Sequence, residues 1–193
     1  MTERVTLFRA DLFTESNIGT VVQRTDLIQQ LKILQANTPG MSFSNPGCFR
    51  IEFPVENISW LIDKISVLLV KAVDFYNNED SVFNNIKKTP NAKIVCWANI
   101  NAPGSRNTFH THKEDDFSGV LYLQGTNCGD LRFPNPSNIL GDCGKTSPFM
   151  RDFSFAPHDG DLVLWPSWLP HEVEPNLSDR ERINLAFNIR IKA

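Results

Sequence analysis

Hydrophobic positions are most regular between Ile58 and Val73, where Ile58, Leu61, Ile62, Ile65, Leu68, Leu69, Ala72 and Val73 recur at steps of three and four. That stripe predicts an amphipathic helix laid on a sheet, a scaffold element rather than a partner groove or a lipid face. A shorter helix is predicted from about Thr25 to Gln35, carrying Leu27, Ile28, Leu31, Ile33 and Leu34, and Asn37-Thr38-Pro39-Gly40 stops it. Thr6–Phe13 reads as a short strand. Phe49–Phe53 alternates and reads as a strand ending at Pro54, with Arg50 and Glu52 on its outward face. The polar stretch Tyr76 to Asn91 reads as a connection.

From Lys93 the texture changes to short strands divided by turn residues: Lys93–Asn101, Phe117–Gln124, Asp130–Phe133, Ser154–Phe155, Asp161–Trp165, His171–Val173 and Ile183–Ile191. This spacing predicts an antiparallel sandwich or jelly roll, so the fold class expected is α+β. A single domain is expected over 1–193, with 1–92 supporting the sheet and 93–193 forming the jelly-roll core. The link Pro134 to Pro148 is expected to be a covering loop at the open end of the barrel.

Composition narrows the function classes. The 193 residues are 41% hydrophobic and 21% charged with a formal net charge of -3, so the basic footprint of a nucleic-acid binder is missing. Asp63, Lys64 and Lys71 interrupt the apolar run Ile58 to Phe75, which excludes it as a membrane span, and the charged start is no signal-peptide core. The expected location is cytoplasmic. Cys48, Cys96, Cys128 and Cys143 form no CxxC pair and are expected to be reduced thiols.

The chemistry gathers at Phe109-His110-Thr111-His112, which runs through Lys113-Glu114-Asp115-Asp116 into the strand Phe117–Gln124. In an extended segment residues i and i+2 share a face, so His110 and His112 converge, and two converging imidazoles suggest a metal. His171 follows the stiff bend Pro166-Ser167-Trp168-Leu169-Pro170 and offers a third ligand from a distant strand. On spacing alone, solvated strand-end histidines explain the pattern equally well. Eleven residues later Arg182, Asn184, Ala186, Asn188 and Arg190 share one face of a strand whose other face carries Ile183, Leu185, Phe187 and Ile189. Arg182 is expected to clamp an anion through its planar fork, and Arg190 to face solvent. Trp97 and Trp165 are expected in the core and His158 on the surface.

Taken together these residues resemble the Fe(II)- and 2-oxoglutarate-dependent oxygenase superfamily. The resemblance is to a branch with the pattern H-x-H-x5-S-G-V-x-Y-L, G-x-L-x-F-x-x-P, P-S-W-x-x-H and R-x-x-x-x-F-N. The chain matches it at His110, His112 and Ser118–Leu123; at Gly129–Phe133 with Pro136; at Pro166-Ser167-Trp168 with His171; and at Arg182 with Phe187-Asn188. Asn99–Gly104 followed by His110, and Arg182-Ile183-Asn184-Leu185, are also similar to the alkylation-repair dioxygenases, whose metal motif is H-x-D and whose strand ends in arginine where this chain has Asn188.

The resemblance implies a double-stranded β-helix (jelly roll, cupin-like) with Fe(II) held by His110, His112 and His171, and with 2-oxoglutarate as co-substrate. It implies that Arg182 pairs with the distal carboxylate, that Tyr122 donates to the same end, and that Asn99 and Asn184 orient the co-substrate. A small molecule or a side chain, with O2, would be oxidised. Three readings stay open beside this one: a facial triad of His112, Glu114 and His171; a non-catalytic cupin-like module; and a three-histidine oxygenase that does not use 2-oxoglutarate. Asp115 and Asp116 are expected to solvate the strand entrance.

Overall fold

The computed structural model describes residues 10–40, 47–79, 91–135 and 152–192. Residues 6–9 of the expected strand at Thr6–Phe13 lie outside these residues, as does most of the link Pro134 to Pro148; Cys143 lies outside them too. Among the described residues the first strand is β1, Phe13–Glu15, followed by α1, Val21–Asn37. Helix α1 begins four residues before the periodic run at Thr25 because Thr20 closes a capping box. Thr20 Oγ1 accepts from Gln23 N at 3.1 Å, and Gln23 Oε1 accepts from Thr20 N at 2.8 Å.

Strand β2 is Cys48–Glu52, and a 3-10 turn at Val55–Ile58 leads into α2, Ser59–Glu79. The helix therefore takes in part of the stretch from Tyr76 that polarity marks as a connection. The second half supplies β3 (Ala92–Asn101), β4 (Asn107–His110), β5 (Phe117–Gln124), β6 (Leu131–Phe133), β7 (Phe153–Phe155), β8 (Leu162–Pro166), β9 (His171–Val173) and β10 (Arg182–Ile191). All these strands pair antiparallel in two sheets. One has the order β1-β8-β5-β10-β3-β2 and the other β4-β9-β6-β7.

Alternation along the large sheet decides what each face does. Ile183, Leu185, Phe187 and Ile189 of β10, with Cys96, Ala98 and Ile100 of β3, pack into one core with Leu31 of α1 and Leu61, Ile65 and Leu68 of α2. The helices thus cover one face completely. Val120, Tyr122, Val163 and Trp165 point the other way and meet Leu131 and Phe133 of the small sheet in a second, smaller core. The rest of this inner face is polar, and it faces the histidines. No helix among the described residues is long and apolar enough to cross a membrane.

Candidate metal centre and co-substrate chamber

Strands β4 and β9 place His110 directly opposite His171 in register, with ring centroids 4.3 Å apart. His112 lies past the end of β4, where its carbonyl accepts from the Asp115 N–H and so opens a turn. Its backbone N–H donates to the Ser167 carbonyl at 3.0 Å, which brings its ring to 5.0 Å from His110 and 5.3 Å from His171. One nitrogen from each ring lies within 4.8 Å of the others. The proximity expected from i, i+2 spacing is therefore present, but His112 is held by the Ser167 carbonyl rather than within a continuous strand.

Two of the rings have their tautomer fixed by the backbone. His110 Nδ1 lies 2.7 Å from the Thr108 carbonyl and His171 Nδ1 3.0 Å from the Leu169 carbonyl. A carbonyl only accepts, so both rings carry the proton on Nδ1 and keep a lone pair on Nε2, the arrangement found in metal-bound histidines. His112 Nδ1 instead lies 3.2 Å from Asn188 Nδ2. Asn188 is itself held, donating to Asp115 Oδ2 at 2.8 Å and accepting from Ser118 Oγ at 3.0 Å.

Burial and mutual repulsion keep the three imidazoles neutral. Desolvation lowers the pKa of His171 to about 3 and that of His112 to about 4, and it lowers that of His110 as well. Three neutral imidazole nitrogens on one side of a cavity fit a first-row divalent ion such as Fe(II). Glu114 does not join them. Its side chain is 87% exposed and pairs with Arg190 at 3.3 Å, so the triad of His112, Glu114 and His171 is not assembled.

The histidines face a chamber of about 100 Å³ whose lining also includes Tyr122, Asn99 and Asn184. Asn99 Nδ2 donates to Asn184 Oδ1 at 2.8 Å, and Tyr122 is opposite Asn184 in register with its phenol pKa raised by burial. Arg182 stands apart from the lining. It lies two register positions beyond Asn184, opposite Asn101, and is fully buried. Its guanidinium donates to the carbonyls of Cys128 at 2.6 Å and Glu174 at 3.2 Å, and to Asn107 Oδ1 at 3.3 Å. Asn107 does line the chamber. No carboxylate among the described residues pairs with Arg182, and its Nε and the Oδ1 of Asn99 have no hydrogen-bond partner.

Several groups at the site escape a reading of the sequence. Arg50 does not face outward: it lies 4.4 Å from the Trp97 ring centroid and lines the chamber. Trp165 is buried as expected, but it also lines the chamber, edge-on to His171 at 4.9 Å, and its indole nitrogen has no partner. Asp115 and Asp116 are not solvent decoration. Asp115 holds Asn188 and Arg190, and Asp116 accepts from the Ile191 backbone N–H at 2.7 Å. Trp97 is buried and His158 exposed, as expected.

Residues 95–188 match the model of the family described as "Putative 2OG-Fe(II) oxygenase". Over that segment, just under half of its length, the chain matches the 2OG-Fe(II) oxygenases. Oxygenases of this family use Fe(II) and 2-oxoglutarate, and the three-histidine donor set described above suits the metal. In fold the chain is similar to a prolyl-4-hydroxylase from Pseudomonas putida, at 16% identity and TM-score 0.64, over 94% of this chain and 93% of the other. It is also similar to a prolyl hydroxylase from Trichoplax adhaerens solved with a peptide fragment of the hypoxia inducible factor oxygen degradation domain, at 16% identity and TM-score 0.63, over 93% and 83%. A third likeness is to SnoN, a non-heme alpha ketoglutarate dependent epimerase from nogalamycin biosynthesis, at 11% identity and TM-score 0.66, over 93% and 76%. These likenesses establish the double-stranded β-helix fold. No curated protein sequence matches the chain.

Proposed function

We propose that this oxygenase hydroxylates a C–H bond of a small molecule or a side chain, with His110, His112 and His171 holding Fe(II) and Arg182 holding the distal carboxylate of 2-oxoglutarate. The observation that carries the reading is a fully buried arginine with no carboxylate partner among the described residues, beside a chamber faced by three neutral histidines. An uncompensated buried charge is costly, and an anionic co-substrate would neutralise it. Tyr122 lies at the same end and donates its hydroxyl to that carboxylate, while the Asn99–Asn184 pair orients the chain between the two ends.

Fe(II), when bound, supplies the redox chemistry by which O2 and 2-oxoglutarate are consumed and R–H becomes R–OH, with succinate and CO2 as the other products. The protein supplies placement and exclusion of water: the helix-covered sheet closes one side and the small sheet the other. Cys96 and Cys128 are reduced thiols, which supports a reducing, cytoplasmic location. The test is an anaerobic titration with Fe(II) and 2-oxoglutarate, followed by oxygen and a succinate assay. A visible metal-to-ligand charge-transfer band and succinate release are expected; a chain that binds iron but forms no band refutes the reading.

A further inference from the structure

Arg182 does not line the chamber, and Asn107 touches both. The guanidinium donates through Nη1 to the carbonyls of Cys128 at 2.6 Å and Glu174 at 3.2 Å, and through Nη2 to Asn107 Oδ1 at 3.3 Å. A guanidinium only donates, so the oxygen of the Asn107 amide is the atom that faces it. The two carbonyls belong to the backbone. Asn107 supplies the side-chain acceptor of the three, and it alone of the three residues lines the chamber. Its bond to Arg182 is also the longest, just beyond the usual range for an N–H donor.

The surroundings of Asn107 leave its side chain room to turn. Asn107 opens β4, an edge strand of the small sheet, opposite Val173. The register shifts between Asn107 and His110, so one regular ladder does not carry both residues. Asn107 and Val173 line the chamber and also a second cavity, a groove of about 580 Å³ bordered by Phe109, Arg132 and Leu177. The amide thus has the chamber on one side and the groove on the other. No described residue accepts from its Nδ2. A half-buried amide held by one long hydrogen bond gives up little when it turns toward a groove that water can enter.

We propose that Asn107 is a positioning residue for the co-substrate arginine: it holds the Nη2 end of Arg182 until the distal carboxylate of 2-oxoglutarate takes that place, and the amide then turns toward the groove. This inference rests on the iron and 2-oxoglutarate reading, and it accounts for how a carboxylate in the chamber reaches a guanidinium that does not line it. An ionised acceptor binds a guanidinium more strongly than a neutral amide does, so the exchange favours the co-substrate. Nη2 keeps an acceptor in both states, which spares the protein an unpaired buried donor before the co-substrate arrives.

The experiment uses the full chain loaded anaerobically with Fe(II) and two probes, 2-oxoglutarate and 2-oxopentanoate, which has the same chelating end and no distal carboxylate. Affinities are read from the charge-transfer band, and the melting temperature of the metal-free chain is recorded beside them. N107A is expected to bind 2-oxoglutarate about threefold more tightly than the wild type, because no amide has to be displaced, with 2-oxopentanoate unchanged. N107D sets a carboxylate against Arg182, so it is expected to weaken 2-oxoglutarate by more than about tenfold, to leave 2-oxopentanoate unchanged and to raise the melting temperature. Weaker or unchanged 2-oxoglutarate binding in N107A overturns the assignment, and so do equal shifts for the two probes, which a merely structural role would give. If N107D does not fold, N107A decides alone. Failure of the wild type to form a band with 2-oxoglutarate overturns the underlying reading instead, and that measurement comes first.

Discussion

Asn188 holds His112 from one side while Ser118 and Asp115 hold Asn188, so the orientation of the His112 ring depends on a residue outside the histidine set. Arg182→Ala removes the partner of two carbonyls and of Asn107, at a cost of about 2–4 kcal/mol in urea unfolding. It is also expected to weaken 2-oxoglutarate binding more than tenfold while iron stays bound; normal co-substrate affinity in that variant would refute the clamp. The histidines set a pH dependence with a definite sign. Their folded pKa values lie below the unfolded value of about 6.5, so the unfolded chain binds more protons as pH falls. Stability of the metal-free protein is thus full above about pH 6.5 and declines as pH drops toward the folded values near 4 and 3. Urea midpoints at pH 7.5, 6 and 5 check this, and a triple His→Gln variant is expected to show a shallower slope.

At the level of elements, α1 and the centre of the large sheet each rest on one local device. Thr20→Ala opens the capping box and is expected to cost about 1 kcal/mol in thermal or urea unfolding. Gly119, in the central strand β5, has Phe187 packed where a side chain would be. A Cβ there would come within 2.3 Å of the Phe187 ring and 2.6 Å of the Val163 carbonyl. Gly119→Ala is therefore expected to destabilise by about 1–3 kcal/mol or more. The sequence made much of this level legible. Alternation along Arg182–Ile191 separated the helix-facing residues from the chamber-facing ones, and the Ile58–Val73 stripe marked α2. What it hid follows from the same physics. Alternation puts Arg50 and Glu52 on one face but cannot say which face meets the chamber, since that depends on β2 pairing with β3. Strand β4 is short and polar, and its pairing with β9 rather than its own propensity makes it a strand. The start of α1 was readable after all, because Thr20 and Gln23 have capping-box spacing ahead of the first periodic residue.

For the whole molecule, a ligand that binds the folded state alone raises its stability by mass action. Co(II) at about 100 times its dissociation constant is expected to add about 2.7 kcal/mol, seen as a higher melting temperature. His110→Ala should abolish the increment without removing the cooperative transition. The placement of the ligands has a bearing on how the enzyme is made. His110 and His171 become neighbours only when β9 docks on β4, joining distant parts of the chain. A nascent or unfolded chain offers His110 and His112 but not the third nitrogen in place, so it competes poorly for iron. With the three histidines as the proposed ligands, metal capture would come after folding, and the ion would mark finished molecules rather than guide their assembly.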